Sequence, residues 1–169
     1  MILLAEAVKL KSILQKKYND LVIERRRLAF ISVEKGTVAK RDGRTFEIAQ
    51  NELHVIMKDI RTLDRLVYEA NSLNTVTFQE EQLPIVEAIE YAKQLRLEAA
   101  ELKELSEHER EVVEYGYGES VQMVQVALFD PDELREQALT LEKMAHRLSN
   151  SINAKNYEIK IDFDDSNYM

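Results

Sequence analysis

The side chains best suited to chemistry in this chain are cationic. Arg25, Arg26 and Arg27 are consecutive, and Lys35, Lys40, Arg41 and Arg44 follow them. Guanidinium forks match the oxygens of phosphate or carboxylate two at a time, so the group reads as a candidate anion-binding site. The same triplet ending a helix is also favoured by the helix macrodipole, which needs no ligand. A second candidate is Tyr115-Gly116-Tyr117-Gly118. It is either a flexible connector with two aromatic anchors or a lid stacking Tyr115 and Tyr117 on a small planar ligand. It is too short, and lacks the following helix, to be a phosphate loop.

Other chemistries find little support. The three histidines, His54, His108 and His146, lack HExxH-type spacing. His108 lies between Glu107 and Glu109, but residues one apart diverge on a helix. Adjacent acids such as Glu80-Glu81 and Asp164-Asp165 belong to solvated caps or tail, where nothing raises a carboxyl into the range of a general acid. Inward Glu-x-x-His sets, GxGxxG, GxSxG and Walker loops are absent. With no cysteine, disulfides, thiolate metal sites and a Cys nucleophile are excluded. The expectation is a protein that is not an enzyme, with no cofactor and no metal.

The formal charge of −8 hides an asymmetry. Residues 1–44 hold 11 Lys/Arg against 5 Asp/Glu, and residues 45–169 hold 12 against 26. An acidic body repels nucleic acid at long range, while the basic segment would attract a phosphate-bearing ligand locally. The two halves would equally attract each other, within a chain or between subunits.

The elements that must position these groups are helical. With 4 Gly and 2 Pro in 169 residues, turn punctuation is scarce against the average of about 12% for the two types, which argues against a many-turned β-sandwich. The first helix is expected from Leu3 to Ala29, with Leu3, Ala7, Leu10, Leu14, Leu21 and Leu28 on one stripe. The second runs from Phe46 to Leu73 on an unbroken ladder of Ala49, Leu53, Ile56, Ile60, Leu63, Val67 and Ala70. The third begins within 78–83, Thr77 and Glu80 fitting a capping box while Pro84 suggests a slightly later start, and fades near 106–110. The fourth has the clearest start, with Asp130 as N-cap, Pro131 at N1 and Glu133 at N3. Together they imply a mainly α fold of four long antiparallel helices, a coiled-coil-like bundle in a single domain over 1–169.

Two segments change to a period of two. Residues 156–163 read as a half-buried strand and residues 120–129 as a strand apolar on both faces in part. The fourth helix separates them, so a β-helix-β crossover would set them parallel. Residues 30–48, with Gly36 and Asp42-Gly43, read as a short hairpin. Lone ribbons are marginal, so the strands join one small sheet or pair across subunits. Apolar residues off the main stripes (Val55, Leu66, Leu73, Ile89, Leu97 and Leu105) point to a homo-oligomer.

The order of these landmarks resembles a small bacterial and phage family of unknown function, many of whose members are labelled septicolysin-like. The matching segments are Leu4-Ala5-Glu6-Ala7, Val33-Glu34-Lys35-Gly36, the run from Leu66 to Asn74, Asp132-Glu133-Leu134 and Ile152-Asn153-Ala154-Lys155-Asn156. The resemblance covers residues 3–160 and implies an α-rich fold with a small β element. It brings no catalytic residues. Its label would suggest a haemolysin, against which stand the absence of a secretion signal, of a membrane-spanning hairpin and of any Trp-rich loop. Two departures bear on any anion site: the segment Lys35–Arg44 is basic here and acidic in those relatives, and their basic stretch corresponds to Tyr115–Glu119 here.

No run of about 18 apolar residues occurs, so no membrane contact is expected, and a cytoplasmic setting is the expectation. The leading reading is a non-enzymatic, self-assembling helical protein that acts by binding a protein or a small anionic ligand. The alternative is a phage-type sponge that sequesters a nucleotide-like signal between Arg25–Arg27 and the Tyr115/Tyr117 segment.

Overall fold

The computed structural model describes residues 1–40, 42–114 and 123–168. Among the described residues it is mainly helical, with four helices and three two-stranded antiparallel ribbons. Contacts cluster in two compact units, one of residues 1–74 with 155–169 and one of residues 75–154.

The first unit is built on α1 (Leu4–Leu28) and α2 (Phe46–Leu73). Both form where the apolar spacing requires. Leu4, Ala7, Leu10, Leu14 and Leu21 are buried along α1, and Ala49, Leu53, Ile56, Leu63 and Ala70 along α2. Two side-chain contacts fix their relative direction. Arg25 reaches Gln50 near the connector, and Lys11 pairs with Asp64 at 2.6 Å further along. Numbers rise on one helix as they fall on the other, so the pair is antiparallel. The Asp64 carboxylate holds the Lys11 ammonium above its ordinary range. Thr45 caps α2, its hydroxyl accepting from the Ile48 N–H. At the other end of the chain, β1 (Ile2–Leu3) pairs antiparallel with β6 (Lys160–Ile161), and the Leu4 N–H donates to the Ile159 carbonyl. This ribbon buries Ile2, Ile159, Ile161 and Phe163.

In the second unit, β2 (Thr75–Phe78) and β3 (Glu81–Pro84) form a tight hairpin beside α3 (Ile85–Ser106). Val76 and Phe78 turn inward, and Phe78 meets Tyr91 of α3 edge-on at 5.9 Å. On the outer face Thr75 donates to Gln82, which donates to Thr77. The helix α4 (Pro131–Asn156) starts at the expected proline, with the Asp130 carboxylate accepting from the Asp132 N–H. That backbone bond holds the Asp130 carboxyl below its usual range. Arg96 of α3 bonds Ser149 of α4, and Arg135 donates to the Ser106 carbonyl, so these helices are antiparallel too. Ala88, Ala92 and Ala99 on one, and Ala138 and Ala145 on the other, are buried. The third ribbon joins β4 (Glu111–Glu114) to β5 (Met123–Val126).

Several expectations need correction. The strands near 120–129 and 156–163 do not pair with each other through α4. Each pairs antiparallel with an unforeseen partner, β5 with β4 and β6 with β1. Thr77 and Glu80 are not a capping box. They belong to the β2–β3 hairpin, and Pro84 precedes the first turn of α3, where a proline needs no hydrogen-bonded N–H. Residues 30–48 do not form a hairpin: no strand occurs among the described residues there, and α2 already begins at Phe46.

The two-residue tip of the β2–β3 hairpin is Gln79-Glu80, both with positive φ, 49° and 70°. A two-residue loop needs this backbone to match strand twist, and Asn-Gly adopts it with least strain. A left-handed non-glycine residue costs roughly 1–2 kcal/mol. Replacing Gln79-Glu80 with Asn-Gly is therefore expected to stabilise the protein by about 1–2 kcal/mol. A thermal melt checks this, and an unchanged or lower midpoint would count against a strained tip.

Candidate functional site

The basic candidates gather at one end of the first unit. Arg25, Arg26 and Arg27 fill the last turn of α1, where unpaired carbonyls favour cations. The connector that follows, residues 29–45, exceeds the about 12–15 residues beyond which a loop without secondary structure is uncommon unless it has a role. It carries Lys35 and Lys40, and its residues 31–40 are all exposed. Thr37 folds back onto the Glu34 carbonyl, with Gly36 between them at a φ of 93° that suits glycine.

The cations do not play one role. Arg44 is engaged on two sides. Its Nε donates to Glu24 on α1 at 2.8 Å, and its Nη1 donates to Glu52 on α2 at 2.9 Å. A second bond from Nη2 makes the Glu52 contact bidentate. The pairing holds the Glu52 carboxyl below the usual carboxylate range and pushes Arg44 above its own. Arg44 was expected among the anion binders, and its fork is instead filled by the protein's own carboxylates. Arg25 donates to Gln50, a neutral partner, at 2.9 Å. Gln50 in turn meets His54 Nε2 at 2.7 Å. Arg26, Arg27, Lys35 and Lys40 form no ion pair among the described residues. Arg41, Tyr115 and Tyr117 lie outside the described residues.

Two open clefts adjoin these groups. One, of about 460 Å³, lies between the end of α1 and the start of α2, lined by Leu28, Ala29, Phe30, Ile31, Ala39, Lys40, Thr45, Phe46 and Glu47, so that it holds one cation and one carboxylate. The second, also about 460 Å³, is lined by Lys17, Asp20, Leu21, Ile23, Glu24, Arg27, Arg44 and Glu52. Lys17 is thus a site neighbour that the sequence reading passed over. It also lies over the Tyr168 ring at 5.1 Å. Glu24 and Glu52 were missed as well. They sit on different helices, and no spacing in the chain links them to Arg44.

Among the described residues no group of three or more His, Asp or Glu side chains could hold a metal ion. Among the described residues no helix is long and apolar enough to cross a membrane. A further cleft, of about 370 Å³, lies in the second unit between the end of α3 and the base of the β4–β5 ribbon. It is lined by Leu105, His108, Val112, Gln125 and Phe129 among others.

No family model and no curated protein matches the chain. The fold is similar to the crystal structure of a functionally unknown conserved protein from Corynebacterium diphtheriae. The two share 22% identity and a TM-score of 0.65, over 95% of this chain and 98% of the other. At that identity the likeness shows the fold alone.

Proposed function

We propose that this is a non-enzymatic, self-assembling helical protein that acts by binding, and that its binding end is the basic turn and connector between α1 and α2. One observation carries the reading. Arg27 and Lys40 line open clefts and, like Arg26 in the same last turn of α1, have no carboxylate partner among the described residues, although acids outnumber bases in the chain. Arg44, by contrast, is pinned by Glu24 and Glu52 and acts as a brace that holds the helix ends together. Phosphate, a nucleotide or an acidic peptide carries the charge these cations would neutralise. The septicolysin-like resemblance is part of the proposal, without any haemolytic activity.

The test is a thermal-shift panel of inorganic phosphate, nucleotides, cyclic nucleotides and a poly-glutamate peptide. A ligand at 100 times its Kd adds about 2.7 kcal/mol of stability. For a chain of this size that is a rise of roughly 5–10 °C. Arg26→Gln combined with Arg27→Gln and Lys40→Gln is expected to remove the shift while lowering the unliganded midpoint by only a few degrees, the loss of two cations from the last turn of α1. No shift with any member of the panel would overturn the anion reading.

A further inference from the structure

The β4–β5 ribbon raises a physical problem. All eight of its strand residues are exposed, including Val112, Val113, Met123, Val124 and Val126, and Leu128 just beyond is 98% exposed. An isolated two-stranded ribbon is marginal in water, and an uncovered apolar one is a template for further pairing.

The register shows which backbone groups are free. The Ala127 N–H donates to the Arg110 carbonyl, so that pair is hydrogen-bonded. Pairs alternate along an antiparallel ladder. Hence Val112–Gln125 and Glu114–Met123 are hydrogen-bonded pairs, while Glu111–Val126 and Val113–Val124 are not. The N–H and C=O groups of Val124 and Val126 therefore point away from β4, along an edge that pairs with no other strand among the described residues. The strand puts no charge and no proline on that edge, its residues being Met123, Val124, Gln125 and Val126. The opposite edge, on β4, carries Glu111 and Glu114.

We infer that the open β5 edge pairs antiparallel with β5 of a second copy of this chain, about a two-fold axis at Gln125, giving a four-stranded sheet ordered β4-β5-β5-β4. This rests on the self-assembly reading above and names its surface. Charge selects the edge, and the two-fold match of Val124 to Val126 selects a second copy as its occupant. The β4 edge carries Glu111 and Glu114, and pairing two such edges about Val112 would bring the two Glu111 side chains onto one diagonal of the same face. Joining two β5 edges puts three strand spacings, about 14 Å, between the β4 strands, beyond the Debye length of about 8 Å. On one face, Val124 of each copy then lies opposite Val126 of the other, a favourable β-branched pair, flanked by Val113 beside Val124 and by Glu111 beside Val126. A short ladder with this stripe falls near or below the ~1,000 Å² at which specific interfaces begin. The dimer is accordingly weak, with a midpoint in the micromolar range.

The absence of cysteine in the chain allows a direct test. At the axis the two Gln125 Cα atoms form a non-hydrogen-bonded pair, about 4.5 Å apart, within disulfide reach. Gln125→Cys is expected to yield a covalent dimer under mild oxidation, and Val112→Cys on β4 is not. Val124→Pro removes one outward N–H without touching the β4–β5 ladder, and Val124→Lys charges the edge. In sedimentation equilibrium each is expected to raise the dissociation midpoint at least tenfold, with the circular dichroism spectrum unchanged. Val113→Pro, on the other edge, is expected to leave the midpoint in place. A wild-type chain monomeric to millimolar concentration would overturn both this inference and self-assembly, leaving the anion panel to stand by itself. An oligomer indifferent to Val124→Pro and Val124→Lys, equal cross-linking at both cysteine positions, or loss of the dimer in Val113→Pro would overturn this inference alone.

Discussion

Phe163→Ala is expected to destabilise the first unit by about 3–5 kcal/mol, the range for removing a buried aromatic ring. Phe163 is 6% exposed, and it follows Ile159 and Ile161 in an alternating tail whose inward side chains are all buried. The tail is held by main-chain bonds as well. β6 pairs with β1, and the Ile159 carbonyl accepts the N–H of Leu4 at 2.9 Å, one of the orphan donors of the first turn of α1. Losing the ring would therefore loosen the start of α1 along with the tail. Beyond Phe163, Tyr168 donates to Asp59 of α2, and partial burial with that bond raises its hydroxyl above the ordinary tyrosine range. Tyr168→Phe separates the two contributions, since a single hydrogen bond contributes only about 0.5–1.5 kcal/mol. Urea denaturation reads both. A loss below 1 kcal/mol for Phe163→Ala would show that the tail lies on the unit without completing its core.

The helices were the legible part of this chain, for a definite reason. Their signals are local and repeated: the α2 ladder contains seven apolar residues at three- and four-residue steps, and Asp130-Pro131 marks a start within two positions. The ribbons were harder because strand pairing is a relation between distant residues. The period-two pattern of Tyr157–Phe163 announced a strand, but nothing in it named Ile2 and Leu3 as partners. The β2–β3 hairpin escaped because its tip is Gln79-Glu80 where Asn-Gly would have signalled the turn, and Thr77 with Glu80 mimicked a helix cap. The Arg triplet was visible as a run of like charges. Its division of labour was not, since Glu24 and Glu52 reach Arg44 only after α1 and α2 have packed antiparallel. Sequence could name the cations, but only the fold shows which are already neutralised.

That dependence leads to the second large effect. Leu53→Ala is expected to cost about 2–5 kcal/mol, because Leu53 is 2% exposed in the seam between α1 and α2 and the cavity left would refill only in part. Val55→Ala, at an exposed position two residues away, is expected to change stability by less than about 1 kcal/mol. Leu53 also lies beside Glu52 and one turn from Gln50, which engage Arg44 and Arg25. Loosening the seam there shifts the two braces that fix the end of α1 against the start of α2. Arg27 and Lys40, which line the clefts, and Arg26 beside them, none in an ion pair among the described residues, would then sample a wider range of arrangements, and ordering them on an anion would cost more entropy. Leu53→Ala is thus expected to weaken anion binding several-fold at temperatures where the variant is still folded, although Leu53 touches no ligand. Phe163→Ala, acting through the tail on the first turn of α1, is expected to lower stability with a much smaller effect on that affinity. Isothermal titration with the tightest member of the anion panel, at a temperature where both variants are fully folded by circular dichroism, separates the two. Equal affinity losses would mean that binding follows overall stability and not the local bracing of the basic end.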